Sequence, residues 1–189
     1  DDKPIDAFRL KKQSSMISAI SRLREDESVS ALVSSGSTAV LVGTSILRIG
    51  RTEGVRRPAF CPILPTMAGG VVGVCDSGAN LDCSPLQLHQ YAIMASEYMS
   101  DMFGIKNPRI ALLNIGTEAE KGDDLRRDAY ELLSSDKSLN FVGNMESRDL
   151  LSGKYDVVVC DAFSGNVLIK STEGTALELL KKIKKDIMS

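Results

Sequence analysis

Asp161 follows an apolar run, Val157 to Cys160, and precedes Ala162, Phe163, Ser164, Gly165 and Asn166, with Lys170 a little further on. A carboxylate, a hydroxyl, an amide and an ammonium group this close together are the parts needed to hold an oxyanion and to meet charge developing at a carbonyl. The run of valines shows no polar alternation, the pattern of a strand buried on both faces of a parallel sheet. The residues from Ala162 to Asn166 are turn formers, and Val167 to Lys170 open a helical pattern. Asp161 is therefore expected at the carboxyl end of a core strand, where open α/β sheets bind their ligands. Unpaired N–H groups at the start of the following helix favour an anion there, with Asp161 and Lys170 adding opposite charges. This stretch is the expected reaction centre.

Other polar loops also follow apolar runs. Ala31 to Val33 read as a short buried strand leading into Ser34, Ser35, Gly36, Ser37 and Thr38. The helix after it, from Ala39 to Ile49, is apolar nearly all round and is expected to be buried. Such a loop can cradle phosphate or be a simple turn and cap; it has neither P-loop nor dinucleotide-binding glycine spacing. Arg109 to Ile115 form another buried strand, ending in a charged loop with Glu118, Lys121 and Gly122, after which Asp124 can cap a helix. Near the start, Ser14 and Ser15 precede a helical stripe of Met16, Ile17, Ile20 and Leu23, just after Arg9, Lys11 and Lys12. That arrangement is either a phosphate site or an ordinary cap beside a solvated charge run.

Several chemistries lack their residues. The chain has a single histidine, His89, placed within a helical pattern, so no Ser-His-Asp set can be assembled. Cys83, the thiol expected to be exposed, has no histidine assigned beside it, and covalent catalysis is unsupported. No C-x-x-C pair exists among the four cysteines, three of which lie in apolar runs as buried reduced thiols of a cytosolic protein. Asp76, Gly78, Asn80 and Asp82 alternate like a calcium loop but lack its downstream bidentate glutamate. No metal or other cofactor is expected. A net charge of -2 and the absence of Trp argue against a general nucleic-acid binder. The inventory suits direct transfer, in which a bound oxyanion such as phosphate attacks an acyl carbon, with Asp161 as the candidate base.

These groups need a scaffold. Phe60 to Leu64 and Val71 to Cys75 read as a hairpin through a Pro/Gly turn, Pro85 opens a long amphipathic helix ending at Gly104, and Asn140 to Gly143 read as a strand. Strand-loop-helix units alternating along 189 residues predict an α/β fold, a three-layer α/β/α arrangement with a parallel or mixed sheet. The final segment places Ala176, Leu180, Ile183 and Ile187 on one face with Lys181, Lys182, Lys184 and Lys185 beside them, a solvated helix or one that lies on anionic lipid. The chain opens on DDKP without an initiator Met, and an internal fragment is expected.

Eight segments in order resemble the bacterial phosphate acyltransferases of phospholipid synthesis (PlsX). They are RLKKQSSM from Arg9, VSSGSTAVL from Val33, RPAFCPILPT from Arg57, CDSGANLDC from Cys75, QYAIM from Gln90, KNPRIALLNIGTEAEKGDD from Lys106, NFVGNMESRDLL from Asn140 and DVVVCDAFSGNVLIKSTEG from Asp156. The resemblance spans residues 1–189 as one domain, without the family's Asp-Ala-Met-Gly-Gly-Asp strand and C-terminal Gly-rich region. Ser37 and Ala39 stand where that family commonly has Asn and Gly, and Ala162 where it has Gly. The resemblance implies a fold like isopropylmalate dehydrogenases and phosphotransacetylases, whose active-site Asp, Gly-Asn and Lys are similar to Asp161, Gly165, Asn166 and Lys170. It implies conversion of acyl-[acyl-carrier protein] and inorganic phosphate to acyl phosphate by a cytoplasmic homodimer, with the product passed to a membrane glycerol-3-phosphate acyltransferase (PlsY). Under it, Asp161, Asn166 and Lys170 are the expected catalytic residues. Lys12, Ser14, Ser15, Gly36, Ser37, Thr38, Glu118, Lys121, Gly122, Ser164 and Gly165 are expected to bind phosphate or the carrier's phosphopantetheine. The alternative is a non-catalytic module of the same fold that binds phosphate or acyl carrier, and peripheral membrane contact is a further expectation.

Overall fold

Residues 13–188 are described by the computed structural model. The chain divides between Pro58 and Ala59 into two compact units.

In the first unit, α1 (Ser15–Glu25) buries Ile17 and Ile20, and α2 is Thr38–Arg48. α1 begins where the serine pair predicts, but the Ser14 hydroxyl makes no capping hydrogen bond, nor does that of Ser37 ahead of α2. Two expectations fail here. Ala31 to Val33 form no strand and Val33 is 97% exposed; so short an apolar run has no adjacent strand to satisfy its backbone. The buried helix expected after the serine loop buries only Thr44, and Leu47 and Ile49 are exposed.

The second unit is built on a mixed five-stranded sheet of order β1-β2-β5-β3-β4. Its strands are β1 (Ile63–Pro65), β2 (Val71–Cys75), β3 (Ile110–Asn114), β4 (Phe141–Glu146) and β5 (Val157–Val159). β1 and β2 make the expected antiparallel hairpin, and the other pairings are parallel. β5 is the central strand, its three valines paired with Gly73 to Cys75 on one side and Ile110 to Leu112 on the other. That position explains its uninterrupted apolar run, since both faces are covered.

On one face Cys75, Ile110, Leu112, Val157 and Val159 pack against Leu88, Tyr91, Ala95 and Met99 of α3 (Pro85–Phe103) and Ala129 and Leu133 of α4 (Asp124–Ser135). On the other, Val72, Val74, Ala111, Leu113, Val158 and Cys160 meet Leu168 and Ile169 of α5 (Ala162–Met188). The three-layer α/β/α expectation holds in this unit. Each fully buried Val, Leu or Ile contributes about 1.5–3 kcal/mol, so these two faces dominate its stability.

Local signals fix the helix ends. Ser84 and Gln87 form a reciprocal capping box at the start of α3, and Gly104 closes it in the left-handed region. At the amino ends of β3 and β5, Arg109 donates from its backbone N–H and its guanidinium to Asp156, at 2.7 to 2.9 Å. That clamp leaves the opposite, carboxyl edge free to carry polar loops.

A candidate active site at the carboxyl ends of β3 and β5

The residues Ala162 to Asn166, expected as a turn, are instead the first turn of α5. Asp161 is the residue that makes this possible. One carboxylate oxygen accepts the Ser164 backbone N–H at 2.9 Å and the other accepts the Ser164 hydroxyl at 2.7 Å, so the side chain caps the helix two residues beyond the strand. Turn-forming residues are thus accommodated in a helix because the cap satisfies Ser164 and because the next position must be glycine. A Cβ on Gly165 would lie 2.1 Å from the carbonyl oxygen of Asp76 and 2.9 Å from the Cys160 sulfur.

The neighbouring helix begins the same way. Asp123, one residue before the expected cap, accepts the Arg126 backbone N–H at 3.0 Å. Arg126 then joins the two helix starts: it donates to Asp123 at 2.7 Å, to the Asp161 carboxylate, and to the Ser164 hydroxyl at 3.0 Å. The sequence reading missed Arg126, for which the available signal was an Asp and an Arg three residues apart at a helix start. Its partner Asp161, just before α5, lies 35 residues away, beyond any local pattern.

Burial raises the Asp161 carboxyl's pKa, but the two bonds from Ser164 and the Arg126 charge more than offset this and hold it below its ordinary value. Asp161 is consequently a charged, fully engaged carboxylate rather than a base poised near neutrality. Its chemistry is to fix the Ser164 hydroxyl and the Arg126 guanidinium.

Around this cluster runs a groove of about 600 Å³ lined by Leu113, Ile115, Phe163, Val167 and Leu168, with Arg126 and Ser164 at its polar side. Phe163 and Val167 are exposed along it. Asn114, also missed from sequence, shapes its wall: it donates to the Lys121 carbonyl at 2.9 Å and accepts the Ile115 N–H at 2.8 Å. Gly122 closes the same loop at a φ of 93°, where a Cβ would lie 2.6 Å from Asn114.

The structure brings Asp161, Ser164 and Gly122 together here, while Gly165 packs against Asp76 and Cys160. Asn166 points to the other side of the α5 start, donating to the Ser77 carbonyl at 3.3 Å. It thereby ties α5 to the loop organised by Asp76, whose carboxylate accepts the N–H groups of Phe60, Ala79 and Asn80 and the Asn80 amide. Lys170 is exposed, outside the groove lining, and about 13 Å along the helix axis from Asp161. The Glu118 and Lys121 side chains are exposed, and the Glu118 carbonyl accepts the Asn144 amide at 2.7 Å. Ser14, Ser15, Gly36, Ser37 and Thr38 belong to the first unit, and Lys12 lies outside the described residues. Cys83, expected as the exposed thiol, is half-buried, and burial with the Asp161 charge pushes its pKa up to about 11. His89 is structural in its contacts, its Nε2 lying 2.7 Å from the Asp136 carboxylate at the end of α4. Among the described residues no group of His, Cys, Asp or Glu could hold a metal ion.

The profile of the fatty acid synthesis protein family matches residues 1–189. The chain belongs to that family. Proteins named phosphate acyltransferase from Bacillus cytotoxicus and Bacillus cereus are each 48% identical to it over 188 residues, covering 100% of this chain and 56% of theirs. The chain thus spans about half the length of the curated relatives it matches. Among solved structures, a phosphotransacetylase from Streptococcus pyogenes superposes with a TM-score of 0.61 at 19% identity, covering 75% of this chain and 49% of its own. A branched-chain phosphotransacylase from Enterococcus faecalis gives 0.57 at 16%, covering 82% and 61%. These likenesses carry the fold, and they bear out the phosphotransacetylase-like architecture of this member of the fatty acid synthesis protein family.

Proposed function

We propose that this chain is the part of a phosphate acyltransferase that bears its reaction centre, forming acyl phosphate from acyl-[acyl-carrier protein] and inorganic phosphate for phospholipid synthesis. The observation that carries the reading is the Asp161–Ser164–Arg126 cluster beside an apolar groove, in a chain 48% identical to proteins of that name. A phosphate oxygen attacks the thioester carbonyl carbon, the C–O bond forms as the C–S bond breaks, and the phosphate's proton passes to the departing thiolate. Arg126 meets the anionic charge, Asp161 acts as a positioning residue that also caps α5, and the groove takes the start of the acyl chain.

In this proposal Asn166 holds α5 in place through Ser77, and Lys170 supplies positive charge along α5. Lys12, Ser14, Ser15, Gly36, Ser37, Thr38, Glu118, Lys121 and Gly122 serve phosphate and the phosphopantetheine arm. The enzyme works as a cytoplasmic homodimer that hands acyl phosphate to the membrane glycerol-3-phosphate acyltransferase. Peripheral membrane contact is supported by the exposed Leu180, Ile183 and Ile187 beside lysines on α5. Among the described residues no helix is long and apolar enough to cross a membrane.

The test uses the full-length protein with palmitoyl-acyl-carrier protein or palmitoyl-coenzyme A as donor, trapping acyl phosphate with hydroxylamine. Phosphate-dependent product from the carrier-linked donor supports the reading. Binding of phosphate and carrier without turnover replaces it with a non-catalytic binding module.

A further inference from the structure

The hairpin that edges the sheet holds two cysteines opposite one another. The β1–β2 register pairs Ile63 with Gly73, and the Val74 N–H donates to the Pro62 carbonyl at 3.1 Å, so the pairing continues upstream of β1. Cys61 therefore faces Cys75. Because Pro62 and Val74 are the hydrogen-bonded pair, Cys61 and Cys75 are a non-hydrogen-bonded pair, the closer kind, with Cα atoms about 4.5 Å apart. That spacing lies within the range a disulfide spans. Both side chains leave the same face of the sheet, and Gly73 makes room for them: a Cβ there would stand 3.0 Å from the Cys61 sulfur.

We propose that Cys61 and Cys75 are a modification site at which hydroperoxides form a reversible intramolecular disulfide. The site is independent of the acyl-transfer reading. Cys61 packs against the core cluster that holds the buried Cys75. The neighbouring Cys75 holds the Cys61 thiol below its ordinary range, while Cys61 and burial hold Cys75 well above. Both line a cavity of about 350 Å³ with Ala59, Met94 and Tyr98, through which a small oxidant reaches Cys61. The Cys61 thiol gives up its proton and the thiolate attacks hydrogen peroxide; an S–O bond forms, the O–O bond breaks and the leaving hydroxide takes up that proton as water. The Cys75 sulfur then attacks Cys61, the S–S bond forms, the S–O bond breaks, and the hydroxide released takes the Cys75 proton. Two electrons pass from the sulfurs to the peroxide, and an external thiol reverses the change. Cys160 does not compete, because Cys75 packs on one face of the sheet and Cys160 on the other.

Full-length folded protein is treated with hydrogen peroxide, its remaining thiols are alkylated, and its peptides are analysed by mass spectrometry without reduction. The expected result is loss of alkylation at Cys61 and Cys75 together, a peptide joining them, and recovery of both thiols with dithiothreitol. In the Cys75→Ala variant Cys61 is expected to stop at a sulfenic acid trapped by dimedone. Cys61 driven to sulfinic acid in the parent with no joined peptide, Cys75 joined to Cys83, or no reaction until denaturant is added would each overturn the proposal.

Discussion

A Cβ placed on Gly165 would stand 2.1 Å from the carbonyl oxygen of Asp76. The first turn of α5 lies directly on the loop that follows β2, and the contact is backbone against backbone, which no side-chain rotation can relieve. Gly165→Ala is expected to destabilise the protein by at least about 2 kcal/mol, read as a lower denaturant midpoint at unchanged slope. An unfolding curve matching the parent's would show that α5 can move away from Asp76 at little cost.

Arg126 and Asp161 form a partly buried pair, their side chains 16% and 11% exposed. Arg126→Met leaves the Asp161 charge uncompensated, which is expected to cost about 2 kcal/mol, less than for a fully buried pair. The pH dependence carries the sign. The Asp161 carboxyl is lowered from 3.8 in the folded state, so its stabilising contribution is present above 3.8 and is lost as pH falls through the lowered value. In Arg126→Met that loss begins at higher pH, which denaturant midpoints measured across the acid range will read.

Asp136 gives a second, independent acid signature. Hydrogen bonds from the Ser138 hydroxyl and backbone, then from His89, hold its carboxyl down to about 2. Its contribution is present above the ordinary value of 3.8 and disappears as pH falls toward about 2. Asp136→Asn is therefore expected to lower stability near neutrality, with the gap to the parent closing over that window. A gap that stays constant with pH would assign the loss to packing.

Val167 faces the groove and is 49% exposed, so the fold tolerates change there. In the full-length protein Val167→Glu is expected to raise KM for a long-chain acyl donor roughly 10-fold, by placing a charge against alkyl carbon. Its effect on a short-chain donor is expected to be much smaller. Equal effects on both donors would remove the acyl chain from this groove.

Much of the second unit could be read from residues. Uninterrupted apolar runs marked β2, β3 and β5 because both faces of a central strand are covered, and Pro85 with Gly104 bracketed α3. The reading failed where local pattern and tertiary demand disagree. Ser164, Gly165 and Asn166 favour turns, yet Asp161 caps them into a helix and Asp76 requires the glycine. Ala31 to Val33 have the composition of a strand but no strand beside them. At the site, Asp161, Ser164 and Gly165 were legible as a cluster because they are sequence neighbours. Arg126 and Asn114 were not, because their partners lie across a loop or on another helix.

The most direct test of the Asp161 cluster as the reaction centre is the rate of hydroxylamine-trapped acyl phosphate formation by full-length Asp161→Asn, alongside its thermal midpoint. Asn keeps the capping oxygen but loses the charge that orients Arg126 and Ser164, so the rate is expected to fall about 100-fold with a small change in midpoint. A parental rate in a folded protein would contradict the account and leave Asp161 as a helix cap alone.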